Sequence, residues 1–201
     1  MSDYFNCPVI TVSREYGAGG RSFASGLSKK LGLQWFDHDF IKETARDSGY
    51  SIQRIKDSSE EMGLLDYIMN NTVVFNSEHD KIFEAQKQEV LKLSDHPCII
   101  MGRTANFILR EAGVKTFDVF LYGSLESRME RIKEIGANKN IDLKKFVERR
   151  DALRKNYYKH YTKRNLGDYR DYSICLDSGV IGIEGCIDIV STIINNIKKS
   201  S

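Results

Sequence analysis

Gly17, Gly19 and Gly20 stand close together, flanked by Arg14 and Arg21 and followed by Ser22, directly after the apolar run Val9-Ile10-Thr11-Val12. Glycine tolerates positive φ and close backbone approach, so successive amides in such a loop can point into one concavity. A helix that begins there adds its first N–H groups, and that combination binds anions, phosphate above all. Arg14 and Arg21 supply guanidinium forks that match phosphate oxygens. A glycine cluster after a strand also makes a plain tight turn, and it is the two arginines that weigh towards phosphate. The usual phosphate loop reads G-x-x-x-x-G-K-[ST], with the lysine reaching the outer phosphates. If Gly17-Ala18-Gly19 closes the loop, the lysine position holds Gly20 and Arg21 comes one residue late. Arg21 must then bend back, or the role stands empty. Glu15 would repel a bound anion unless it pairs with a cation, and Arg14 and Arg21 are the expected partners.

A second chemistry-bearing stretch covers residues 141–164, where nine Lys and Arg face the three acids Asp142, Glu148 and Asp151. Its apolar positions Leu143, Phe146, Val147, Leu153, Tyr157 and Tyr161 predict a long helix. Such a basic helix can be a solvated face. Arg150 and Arg154 lie at i and i+4, however, so both share one side, where two forks could grip a phosphate chain while Asp151 orients one of them. Arg128 and Arg131, at i and i+3 on another helical stretch, read as surface residues when taken alone.

The elements that must position these groups follow a repeating order. Val9–Val12 predicts a first strand, with Pro8 tolerated at its start, and Ser22, Phe23, Ala24, Leu27 and Leu31 predict the helix after the loop. Leu33–Phe36, Cys98–Met101, Phe117–Tyr122 and Tyr172–Leu176 predict four further strands, and most are followed by helical periodicity. Near-continuous apolar strands alternating with helices indicate an α/β sandwich around a parallel sheet. Ligands of such sheets bind beyond the strands' carboxyl ends, where Gly17, Asp37, Arg103 and Gly123 fall. Residues 39–95 are too long for one crossover helix and read as a helical insertion, within a single domain spanning 1–201.

Bulk properties narrow the class. With 201 residues, 41% hydrophobic and 29% charged, the chain is long enough for a proper core and carries no disordered signature. No run reaches the ~18 apolar residues of a membrane span, and the first residues do not read as a leader, so a cytoplasmic location is expected with no membrane partner. A net charge of +2 argues against general nucleic-acid binding. Cys7, Cys98, Cys175 and Cys186 lack metal-ligand spacing and are expected to be buried structural thiols.

Together, Ser13-Arg14-Glu15-Tyr16-Gly17-Ala18-Gly19-Gly20-Arg21, Trp35-Phe36-Asp37, Gly102-Arg103, Arg150-Asp151 with Arg154, Tyr157 and Tyr158, and Gly182-Ile183-Glu184 resemble the cytidylate-kinase-like family of nucleoside monophosphate kinases. The resemblance implies a three-layer α/β/α sandwich whose five parallel strands run in the order 2-3-1-4-5. It implies a phosphotransferase that moves the γ-phosphoryl group of ATP, with Mg²⁺, to a nucleoside monophosphate such as CMP or another small acceptor. Residues Gly17, Ala18, Gly19, Gly20, Arg21 and Ser22, with Arg14, would hold the donor, and the Ser22 hydroxyl would reach Mg²⁺. Asp37 and Arg103 would lie on the acceptor side; Arg150, Asp151 and Arg154 would face the acceptor and the transferred group. Arg128 and Arg131 would belong to a lid-like region, 124–150, and with Arg21, Asp37, Arg103 and Arg154 make up the expected catalytic set. True cytidylate kinases carry Gly-Ala-Gly-Lys-Gly-Thr at this loop, and they differ again at His38 and Asp39. His38 is expected at a helix start rather than as a catalytic base. The missing lysine also admits a second function: a nucleotide-binding regulatory protein that has lost catalysis.

Overall fold

A computed structural model of the chain describes residues 9–37, 77–102, 104–136 and 142–199. Strand β1 (Val9–Arg14) runs into helix α1 (Gly20–Leu31), followed by β2 (Gln34–Phe36). The described chain resumes at α2 (Ser77–Leu93), then β3 (Cys98–Ile100), α3 (Ala105–Glu111), β4 (Thr116–Tyr122) and α4 (Leu125–Glu134). Last come α5 (Leu143–Thr162), a 3₁₀ turn (Tyr169–Asp171), β5 (Ile174–Asp177), the short α6 (Ser178–Ile181) and α7 (Ile183–Lys199). The five strands form one sheet in the order β2-β3-β1-β4-β5, every pair parallel.

Alternation along β1 explains the layers. Ile10 and Val12 point to one face and join Phe23, Ala24 and Leu27 of α1 and Ile187, Val190 and Ile194 of α7 in the larger core cluster. The spacing of Phe23, Ala24 and Leu27 places all three on the inner side of α1. Gly26 lets α7 approach closely, since a Cβ there would require Ile187 Cδ1 to shift. Val9 points to the opposite face and packs with Cys98 and Ile100 of β3, Val90 of α2, and Ala105, Ile108 and Leu109 of α3. Cys98 and Cys186 are free and buried, Cys175 half-buried, and burial pushes the Cys98 thiol up to about 11.

The second face also carries buried polar groups. Thr11 Oγ1 donates to Asp118 Oδ1 at 2.6 Å, while Arg110 reaches Asp118 at 3.3 Å and Asp171 at 3.1 Å. Burial raises the Asp118 pKa, partly offset by its hydrogen bond from Thr11 and by Arg110. This network corrects the expected start of the last strand. Tyr172 lies just after the 3₁₀ turn, and the approach to β5 is held by Ser173, which donates its N–H to Asp118 O at 2.8 Å and accepts the Asp118 N–H on its hydroxyl at 3.0 Å. Among the described residues no helix is long and apolar enough to cross a membrane.

Candidate active site

The carboxyl ends of the strands gather the residues of interest. Met101 N–H donates to Phe36 O at 2.8 Å and Glu15 N–H to Leu121 O at 3.0 Å. These bonds extend the ladders one step and fix Asp37, Met101 and Glu15 along the same sheet edge. The chain between β1 and α1 then turns sharply, with Gly17 at φ 82° and Gly19 at φ 78°. Gly19 is the N-cap of α1 and, as glycine, has no side chain of its own to cap that end. Phe23 N–H already closes on Gly19 O at 3.0 Å, so the amides of Gly20, Arg21 and Ser22 are the first-turn donors that a helix leaves without an internal acceptor. They carry the positive end of the helix dipole.

Two later helices clamp this loop. Arg128 of α4 is only 8% exposed. Its Nη1 donates to Tyr16 O at 2.8 Å and to Asp151 Oδ2 at 2.6 Å, and its Nε donates to Gly123 O at 3.0 Å and lies 3.4 Å from Glu15 Oε2. The other Asp151 oxygen accepts the Tyr16 N–H at 2.7 Å. The loop's backbone therefore hangs on a buried Arg128–Asp151 pair.

Two sequence expectations are corrected here, for Arg128 and Glu15. Arg128 is not a surface residue, because its helix turns it inward against the loop. Asp151 also reaches beyond its own helix, with one oxygen on the Tyr16 N–H and the other on Arg128 of α4. Glu15 Oε2 lies 3.4 Å from Arg128 Nε, while Arg21 pairs with Asp37, and Glu15 also accepts the Gly123 N–H at 3.3 Å. Arg21, 66% exposed, places Nε 2.9 Å from Asp37 Oδ2, so its guanidinium sits on the β2 side of the helix start. Ser22 is exposed on the first turn of α1.

Arg150 and Arg154 reach the same loop by stacking. Their Cζ atoms lie 5.9 and 5.1 Å from the Tyr16 ring centroid, and Phe146 meets that ring edge-on at 5.4 Å. Arg154 Nη1 is 3.5 Å from Arg14 O. Arg131 covers Gly19: a Cβ there would lie 2.7 Å from its Nε. Tyr16, the platform under both α5 arginines, and Ser178, whose hydroxyl lies 2.9 Å from Ala18 O and 3.0 Å from Tyr122 O, were missed by sequence reasoning. Tyr16 was visible only as part of the loop stretch, and Ser178 carried no signal beyond its place after the last strand. A cavity of about 380 Å³ adjoins the cluster, sharing Glu15 and Asp151 and walled by Phe120, Tyr122 and Tyr169. Arg103, His38, Asp39, Cys7, and 39–76 of the expected insertion lie outside the described residues, as do 137–141 of the lid-like region.

A glycine loop opening a helix at the end of the central strand of a 2-3-1-4-5 parallel sheet defines a P-loop kinase fold. Solved structures share it. A protein of undescribed function from Eubacterium ventriosum matches with TM-score 0.71 at 20% identity, over 93% of this chain and 98% of that one. Shikimate kinase from Acinetobacter baumannii, solved with shikimate, matches with TM-score 0.54 at 14% identity, over 98% of both. Within that fold the chain belongs to the cytidylate kinase-like family, whose sequence profile matches residues 9–180. Cytidylate kinase of Methanocaldococcus jannaschii is 28% identical over 194 residues, covering 95% of this chain and 99% of the relative.

Proposed function

We propose that the protein is an ATP-dependent kinase that moves the γ-phosphoryl group to a nucleoside monophosphate, CMP or a close relative. The observation that carries this reading is convergence. First-turn amides of α1, behind an N-cap glycine with no side chain, open at a loop on which Arg131 of α4 and Arg150 and Arg154 of α5 close. Phosphoryl transfer asks little covalent chemistry of the protein; positioning and charge neutralisation supply most of the rate. In this reading the amides of Gly17 to Ser22 cradle the donor phosphates, and Arg131, Arg150 and Arg154 neutralise charge on the transferred group. Asp37, with Arg21 on its carboxylate, stands on the acceptor side together with Arg103. Asp151 and Arg128 act as positioning residues that fix the loop.

Mg²⁺ fits the donor set. No group of three or more His, Cys, Asp and Glu side chains is arranged to cage a metal among the described residues. A cation held by nucleotide phosphate oxygens and one hydroxyl, here that of Ser22, suits the preference of Mg²⁺ for few protein ligands. Bound there, it would offset charge on the phosphate oxygens.

The test is ADP release measured across the nucleoside monophosphates, with calorimetry of ATP binding in parallel. Turnover with CMP or a related acceptor is expected. ATP binding with no turnover on any acceptor would reject the kinase reading in favour of a nucleotide-binding regulator.

A further inference from the structure

The position that holds lysine in the common phosphate loop is Gly20, and the first glycine of that motif falls on Arg14. In the fold these two positions touch. Arg14 is the last residue of β1, and its even place in the alternation puts its side chain on the face of Ile10 and Val12, the face that α1 covers. The side chain then runs directly across the first residue of α1. A Cβ added to Gly20 would overlap Arg14 Cδ and lie 2.9 Å from Arg14 Nε and 3.3 Å from Met101 Sδ. Gly20 is buried, so a larger residue there could not simply swing into solvent.

We propose that glycine and cation have exchanged places: the Arg14 guanidinium, passing over Gly20, is the donor-phosphate cation that replaces the absent lysine. The inference rests on the phosphate-site reading above and adds the identity of the group that completes it. Arg21, which follows the vacated position, directs its guanidinium to Asp37 at 2.9 Å, on the β2 side of the helix start, whereas it is Arg14 that crosses Gly20. The exchange gives a physical reason for glycine at position 20: it is the space through which Arg14 passes. A fork in place of a point charge also changes the chemistry, since a planar guanidinium can hold two phosphate oxygens at once.

The test is a swap, read by calorimetric ATP affinity and by turnover, with thermal melting as the check on folding. Arg14→Ala should weaken ATP binding about 10- to 100-fold, the loss expected for one charge-assisted contact. Gly20→Lys alone should also weaken binding, because the new side chain collides with Arg14. Combined with Arg14→Ala, the same lysine should restore affinity to within about threefold of the unaltered protein, since the space is now open and the cation returns from the other position. Gly20→Ala provides the milder steric control: harmful with Arg14 present, close to neutral in the Arg14→Ala background. Unchanged ATP affinity in Arg14→Ala, or a gain in affinity from Gly20→Lys alone, overturns the inference while leaving the phosphate site intact. Failure of the unaltered protein to bind ATP overturns both.

Discussion

At the scale of the residue, the Arg128–Asp151 pair decides whether the loop keeps its shape. Both side chains are 9% exposed and 2.6 Å apart, and between them they hold the N–H and C=O of Tyr16. Removing Asp151 takes the nearest counter-charge from buried Arg128 and leaves it Glu15 at 3.4 Å; breaking a buried pair in this way costs up to about 3–5 kcal/mol. Asp151→Ala should therefore lower unfolding free energy in urea by about that amount. The triple change Arg128→Met, Asp151→Leu and Glu15→Gln, which also removes the carboxylate 3.4 Å from Arg128, should cost less than Asp151→Ala alone, because it strands no charge. A loss well under about 1 kcal/mol for Asp151→Ala would show that the pair does not carry the loop. Nothing near either residue in the sequence announces this contact. Arg128 lies 112 positions from Tyr16 and 23 from Asp151, so the pairing is a product of the topology. The spacing of Arg150 and Arg154, in contrast, needed only the helical period to place them on one side.

At the scale of the element, the strands were legible because parallel strands covered on both faces read as unbroken apolar runs. The start of β5 was not, because Tyr172 is as apolar as a strand residue while Ser173, a poor local signal, makes the bonds to Asp118. The loop's grip on α4 was equally silent. Gly17 looks like any turn glycine in the sequence, but a Cβ there would lie 2.9 Å from Arg128 O and 3.0 Å from Ile132 Cδ1, in a backbone at φ 82°. Gly113 has nearly the same backbone angle, φ 73°, with nothing within 4 Å of an added Cβ. Gly113→Ala should thus show only the conformational cost of a left-handed alanine, roughly 1 kcal/mol. Gly17→Ala should cost that plus the collision with α4, about 1–3 kcal/mol more. Equal losses in denaturant titrations would mean that α4 does not press on the loop.

At the scale of the whole molecule, four stretches far apart in the chain meet at one loop: β1 with α1, the α4 helix, the α5 helix, and the start of α6, which brings Ser178 to Ala18. A polyanion seated there would draw the arginines of α4 and α5 onto the amides of α1, and binding to the folded state alone must stabilise the whole chain. At about 100 times its dissociation constant a ligand adds about 2.7 kcal/mol. For a chain of this length that corresponds to a rise in melting temperature of roughly 5–10 °C. ATP should produce such a shift in thermal melts, growing with concentration and shrinking as salt screens the exposed charges. Adenosine should produce almost none, because the loop offers N–H groups and guanidinium forks, which have no oxyanion to hold once the phosphates are gone. If adenosine matches ATP, recognition lies in the base and the arginines around Tyr16 have another purpose. If ATP gives no shift at any concentration, the convergence of cations on this loop is architectural and the phosphate reading of the site fails.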